Sequence, residues 1–226
     1  MSVPSISRSV IITAGGIGKR MGAEIPKQFL ELSGEPILMH TIRKFSNLRD
    51  AAEIIVVLPQ SQIQTWSDLC LKHNFKIIHT VIEGGKERFH SVKNGLEKAT
   101  GQLIAVHDAV RPFVAENVIE TCFEVAEKKG AAVPVLDLKE SLRNIGQNPS
   151  IAVPRSDYAL VQTPQCFRAN LLREAYHNDY QTIFTDDASV VEHAGKSVSL
   201  VSGNEENIKI TTPMDLKWAR FFLANE

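Results

Sequence analysis

Only three cysteines, Cys70, Cys122 and Cys166, occur in 226 residues, widely spaced and without a C-x-x-C pair. That excludes a disulfide frame or a cysteine zinc site and points to reduced thiols. No apolar run approaches membrane-spanning length, and Met1-Ser2-Val3-Pro4-Ser5 lacks a secretory pattern, so no membrane is expected and the cytoplasm is the expected compartment. Charge of one sign is missing too. A formal net charge of −1 argues against a nucleic-acid partner, which would demand a basic excess. The seven histidines form no H-E-x-x-H or other ligand spacing, and no G-x-S-x-G elbow occurs, so metallohydrolase and covalent serine chemistry have no apparatus here. Internal repeats and low-complexity tracts are likewise absent.

What the chain has is concentrated near its start. Val10-Ile11-Ile12 runs into Thr13-Ala14-Gly15-Gly16-Ile17-Gly18, with cations at Lys19, Arg20 and Lys27. This is a buried strand entering a loop whose backbone N–H groups can face an anion, with positive side chains close behind. A polyphosphate fits. The dinucleotide fingerprint fails, because Met21 stands where the third glycine is needed and the second strand runs into Pro59-Gln60 rather than an acidic residue. A Walker loop fails because Gly18-Lys19 is followed by Arg20, not Ser or Thr. The plainer reading is a strand-to-helix turn with solvated charges.

Short apolar runs at Val10–Ala14, Ile54–Leu58, Lys76–Ile82, Leu103–His107, Ala131–Val135 and Val198–Val201 alternate with segments of helical spacing. The pattern predicts an α/β chain of three layers, a mainly parallel twisted sheet covered on both faces. Ligands of such sheets bind beyond the carboxyl ends of the strands, which gathers Gly15–Arg20, Glu83–Arg88 and His107–Arg111 on one edge. There Asp108 has the chemistry to ligate magnesium or to pair with Arg111. Two glycines, Gly84 and Gly85, precede a helix start and suit backbone contacts to a base or ribose, or simply a tight turn. Lys209, between Ile208 and Ile210, is either forced inward to meet an anion or lies on an exposed edge strand. One stretch, 137–161, has no helical period and a turn-rich centre at Gly146–Ser150. It predicts two extended arms, Glu140–Ile145 and Ile151–Val153, in a projecting hairpin that would gain by packing on a second subunit; otherwise it is a loop folded back on the single domain of residues 1–226.

Taken in order, Ala14–Met21, Pro26-Lys27-Gln28-Phe29, His107–Pro112, Thr163-Pro164-Gln165, Thr185–Ser189 and Asn207-Ile208-Lys209 resemble the 2-C-methyl-D-erythritol 4-phosphate cytidylyltransferases over essentially the whole chain. The resemblance implies a Rossmann-like nucleotidyltransferase fold with a β-arm at 137–161, and magnesium-dependent transfer of CMP from CTP to a polyol phosphate. It implies that Arg20, Lys27 and Lys209 act on the phosphates. Ala14, Gly15, Gly16, Gly18, Gly84, Ser91, Asp108 and Ala109 would bind the nucleotide, with Asp108 also the metal ligand and Arg111 its support. Ser141, Arg155 and Thr163 would meet the acceptor, the arm residues across a homodimer. Ser141 stands where the family commonly has threonine, and Gly15 where it has a second alanine. Lys86 replaces a common acidic residue, so no ribose contact is assigned to it. Ribitol 5-phosphate cytidylyltransferases share many of these blocks, and a non-catalytic nucleotide-binding dimer is the alternative from another class. The block Thr185–Glu192 favours the methylerythritol enzymes over the ribitol ones, and Arg20, Lys27, Asp108 and Lys209 together count against the binder, which would not need cations on both sides of the α-phosphate.

Overall fold

The structure is a computed structural model, and it describes residues 7–15, 25–50 and 52–225. Twelve strands and seven α-helices follow one another along the described chain. They are β1 (Arg8–Thr13), β2 (Glu31–Leu32), β3 (Glu35–Pro36), α1 (Ile37–Ser46), β4 (Ala52–Leu58), α2 (Gln60–Lys72), β5 (Thr80–Glu83), α3 (Arg88–Lys98), β6 (Leu103–Asp108) and α4 (Glu116–Lys129). Then come β7 (Ala131–Asp137), β8 (Leu142–Asn144), β9 (Ile151–Val153), β10 (Ala159–Val161), β11 (Gln165–Arg168), α5 (Ala169–Ala175), α6 (Asp187–His193), β12 (Ser199–Ser202) and α7 (Pro213–Leu223).

The apolar runs explain the layering. β1 is buried on both faces, and successive side chains point to opposite sides of the sheet. Val10 and Ile12 pack with Leu38, Ile42 and Phe45 of α1, Trp66 of α2 and Phe123 of α4. Ile11 packs on the other face with Val92 and Leu96 of α3, Leu172 of α5 and Val191 of α6. Gly95 lets α3 approach closely, since a Cβ there would lie 2.7 Å from Ile11 Cγ2. β6, β1, β4 and β5 run parallel, as expected. β11 lies antiparallel between β6 and β7, and β12 runs parallel to β7.

Several elements differ from the sequence expectation. Of Lys76–Ile82 only the end is a strand, paired from Ile55↔Thr80 to Leu58↔Glu83. Residues 76–79 are held instead by side chains, with His79 Nδ1 at 2.7 Å from the Ile77 carbonyl and Trp66 Nε1 donating to His79 Nε2 at 2.9 Å. β2 and β3 form a small hairpin about Ser33 and Gly34, both at positive φ, the primed-turn geometry that suits the twist of paired strands. The extended arms narrow to β8 and β9, which pair with each other from Leu142↔Val153 to Asn144↔Ile151. The base of that segment belongs to the main sheet, where Asp137 pairs with Ala159.

Candidate active site

Parallel strands that end together bring their following loops together. Thr13 is level with Val57 and with Asp108, and Leu58 with Glu83. Beyond those ends lies a cavity of about 440 Å³, walled by Ala14, Gly15, Lys27, Gly84, Asp108 and Lys209 among others. Two lysines from opposite ends of the chain therefore face one space.

Lys27 opens a short 3-10 turn, Lys27–Phe29, that its neighbours fix. Gln28 is buried, and its amide Nε2 donates to the Ala14 carbonyl and to Gln62 Oε1, each at 2.6 Å. Phe29 stacks on Trp66 with centroids 6.0 Å apart. The glycine-loop strand, the lysine turn and α2 are thus tied together. Lys209 borders the same cavity from outside any strand, and its ammonium sits 3.1 Å from Asp108 Oδ2. The flanking Ile210 is buried, and its N–H bonds to the Val110 carbonyl at 3.0 Å. Neither alternative holds as expected: Lys209 lies on no strand and its side chain stays 42% exposed, yet it meets an anion, Asp108.

Asp108 is 7% exposed and lies at the centre of a closed network. Arg111 Nε donates to the same Oδ2 at 3.1 Å, and Arg111 Nη1 to the Asn207 carbonyl at 2.7 Å. Burial by itself would raise the Asp108 carboxyl, but Lys209, Arg88 and Arg111 hold it well below the usual carboxylate range. Behind it, the Asp108 N–H donates to Thr163 Oγ1 at 3.1 Å, and Thr163 Oγ1 lies 3.1 Å from His107 Nδ1. His107 Nε2 lies 3.0 Å from the Arg111 carbonyl, which can only accept. Nε2 therefore carries the proton and Nδ1 accepts from the Thr163 hydroxyl. Burial pushes His107 down to about 4, which agrees with a neutral ring.

The opposite wall is built on glycines. A Cβ on Gly84 would lie 2.8 Å from Ser91 Oγ, and one on Gly85 would lie 2.3 Å from His90 Cβ. Ser91 Oγ accepts from the Gly85 N–H at 3.1 Å and donates to the Glu87 carbonyl at 3.2 Å. At the start of α3, Arg88 lines the cavity and pairs end-on with fully buried Asp187 at 2.9 and 2.6 Å, while Tyr176 donates to the same carboxylate at 2.6 Å. The Glu83–Arg88 loop was expected at this edge, but Arg88 itself was assigned no role. The signal was present in the acidic Asp186-Asp187 pair of a block read only as a resemblance.

The model of the 2-C-methyl-D-erythritol 4-phosphate cytidylyltransferase family matches residues 9–225. The chain belongs to this family. It is 52% identical to the cytidylyltransferase of that name from Phocaeicola vulgatus over 219 residues, covering 96% of this chain and 100% of the relative. With the Porphyromonas gingivalis relative the identity is 50% over 220 residues, covering 96% and 98%. Among solved structures, the enzyme from Thermus thermophilus superposes with a TM-score of 0.78 at 35% identity, covering 97% of this chain and 100% of that one. The bifunctional IspDF of Campylobacter jejuni gives 0.80 at 28% identity, covering 94% of this chain and 54% of that one.

The family residues expected at the site divide by position. Ala14, Gly15, Lys27, Gly84, Ser91, Asp108, Ala109 and Lys209 all border the cavity. Gly16, Gly18 and Arg20 lie outside the described residues. Ser141 and Arg155 are exposed on the hairpin segment, where Arg155 Nη1 donates to the Lys139 carbonyl, and neither borders the cavity. Thr163, which the resemblance sets at the acceptor's phosphate, is 5% exposed, and its hydroxyl is engaged by Asp108 and His107 behind the wall.

Proposed function

We propose that the protein transfers CMP from CTP to 2-C-methyl-D-erythritol 4-phosphate, giving 4-diphosphocytidyl-2-C-methyl-D-erythritol and pyrophosphate. The observation that carries this reading is the pair of lysines, Lys27 and Lys209, facing one glycine-walled cavity around a carboxylate that stays ionised. An oxygen of the acceptor's phosphate attacks the α-phosphorus of CTP. A new P–O–P bond forms, the bond to the β-bridging oxygen breaks, and pyrophosphate leaves with that electron pair. The attacking oxygen is already ionised, so no general base is required. Suppressing repulsion between two anions and stabilising the charge that builds at the α-phosphorus are the tasks, and both need cations. Lys27 and Arg20 serve one side of the triphosphate and Lys209 the other. Gly84 and Ser91 take the cytosine, with Ala109 at the ribose.

Magnesium supplies charge neutralisation on the triphosphate when bound. The donor set fits a cation held chiefly by substrate. No group of three or more ligating side chains occurs among the described residues, and Asp108 is the carboxylate placed to contribute.

The segment 137–161 serves as a dimerisation arm of the single domain 1–226. Ile145, Ile151, Tyr158 and Leu160 are exposed on it, apolar surface that a second subunit would cover. Arg155 and Ser141 then meet the acceptor across the homodimer, and the protein works in the cytoplasm. Pyrophosphate release from CTP, assayed with methylerythritol phosphate and ribitol 5-phosphate side by side, tests the activity. Release with the first and not the second is expected. Release with ribitol 5-phosphate alone reassigns the acceptor, and silence with both leaves a non-catalytic binder.

A further inference from the structure

The antiparallel ribbon beside β7 is interrupted. Val161 pairs with Val135 and Cys166 with Ala132, so residues 162–165 stand opposite only 133 and 134. That bulge, Gln162-Thr163-Pro164-Gln165, is buried although three of its side chains are polar. Burying uncharged polar groups costs free energy unless each finds a partner, and here the partners are spread over both walls of the cavity.

Thr163 serves the lysine wall. Its hydroxyl accepts from the Asp108 N–H at 3.1 Å and donates to His107 Nδ1, and its carbonyl accepts from Asn207 Nδ2 at 2.8 Å. Gln162 Nε2 donates to the Asn204 carbonyl at 2.9 Å and lies 3.3 Å from that of Asn207, in the segment that carries Lys209. Gln165 serves the arginine wall. Its Nε2 donates to Asp186 Oδ2 at 2.7 Å, and its Oε1 accepts from the Ala188 N–H at 2.9 Å, bracketing Asp187, the partner of Arg88. Two residues apart in the bulge, Thr163 and Gln165 fix the supports of opposite walls.

We infer that the bulge at 162–165 is a positioning element for the transfer: Thr163 aligns Asp108 and Lys209, and Gln165 aligns Arg88, neither touching substrate. This rests on the activity proposed above. A hydroxyl that already accepts from one group and donates to another has little left for a phosphate, so the role expected of Thr163 moves from contact to alignment. Misplacing charged groups around a phosphorus centre by a fraction of an ångström reduces turnover while leaving ground-state binding nearly intact.

The experiment is steady-state kinetics of wild type, Thr163→Val, Thr163→Ser and Gln165→Met with CTP and methylerythritol phosphate, each variant first checked by urea unfolding. The valine variant keeps the shape and deletes both hydroxyl bonds. It should lower kcat on the order of 10- to 100-fold with KM for the acceptor within about twofold, and serine should restore kcat to within a few-fold. Gln165→Met should lower kcat independently, and it decides the matter if the valine variant does not fold. A rise in acceptor KM at unchanged kcat in Thr163→Val would make the hydroxyl a substrate contact and overturn the inference, as would unchanged constants in both variants. A wild type that releases no pyrophosphate overturns the activity, and the alignment role with it.

Discussion

At the scale of single residues, polarity around Asp108 leaves little freedom. The Arg111 carbonyl demands a proton on His107 Nε2, and the Asp108 N–H occupies the Thr163 oxygen, so only a neutral imidazole completes the circuit. An unfolded chain protonates this histidine below its ordinary value of 6.5, whereas the buried ring resists until about 4. More protons are then bound by the unfolded state, and stability falls as pH falls through that window. That stability is fully present above 6.5, and about 3 kcal/mol of it is lost by the time the pH has fallen to about 4. Urea unfolding between pH 7 and 4 should show a flatter slope in His107→Gln than in wild type; identical slopes would mean the ring does not titrate as its burial implies. Lys27 and Asp108 were expected at this edge because the loops after β1 and β6 gather there, whereas Lys209 was placed there only by the family resemblance. The roles of His107 and Thr163 were not legible. Their chemistry lies in which neighbour each hydrogen meets, and spacing carries no such information.

At the scale of elements, the segment before α7 shows how local chemistry aims a distant side chain. Thr212 caps the helix by accepting from Asp215 N at 3.2 Å. Asp215 Oδ2 returns bonds to Thr211 N and Thr212 N, each at 2.8 Å. This capping box begins just after Lys209, so it anchors the lysine's segment as well as the helix. Thr212→Ala should cost about 1 kcal/mol in urea unfolding. It should also lower kcat more than it changes KM for CTP, and a stability loss with unaltered turnover would separate the cap from Lys209. The hairpin offers a second test: sedimentation of the intact chain should give a dimer, and of one lacking 146–150 a monomer, whereas a monomeric intact chain removes the arm's purpose. Strands of the parallel core were readable because burial on both faces makes them continuously apolar. β11 was not. Four residues after a proline acquire their strand character from pairing with β6 and β7, partners remote in sequence.

At the scale of the whole molecule, the sheet's order performs the assembly. β1 and β6 are central neighbours, so Ala14-Gly15 and Asp108 emerge side by side, and α7 packs near β2 so that the residues before it return to the same edge. The sheet's parallel pattern was legible because alternating strands and helices leave few arrangements. The folding of the C-terminal segment back over the cavity was not, since nothing in Asn207-Ile208-Lys209 names its partner. The proposed function depends on that return, because it has two lysines far apart in the chain act on one phosphorus. Single-turnover CMP transfer by Lys27→Ala and by Lys209→Ala, at saturating CTP and methylerythritol phosphate, examines this. Each variant should be slower than wild type on the order of 10²- to 10³-fold, the scale of losing one transition-state donor. Transfer at the wild-type rate in either variant would mean that the two ammonium groups do not share the α-phosphate.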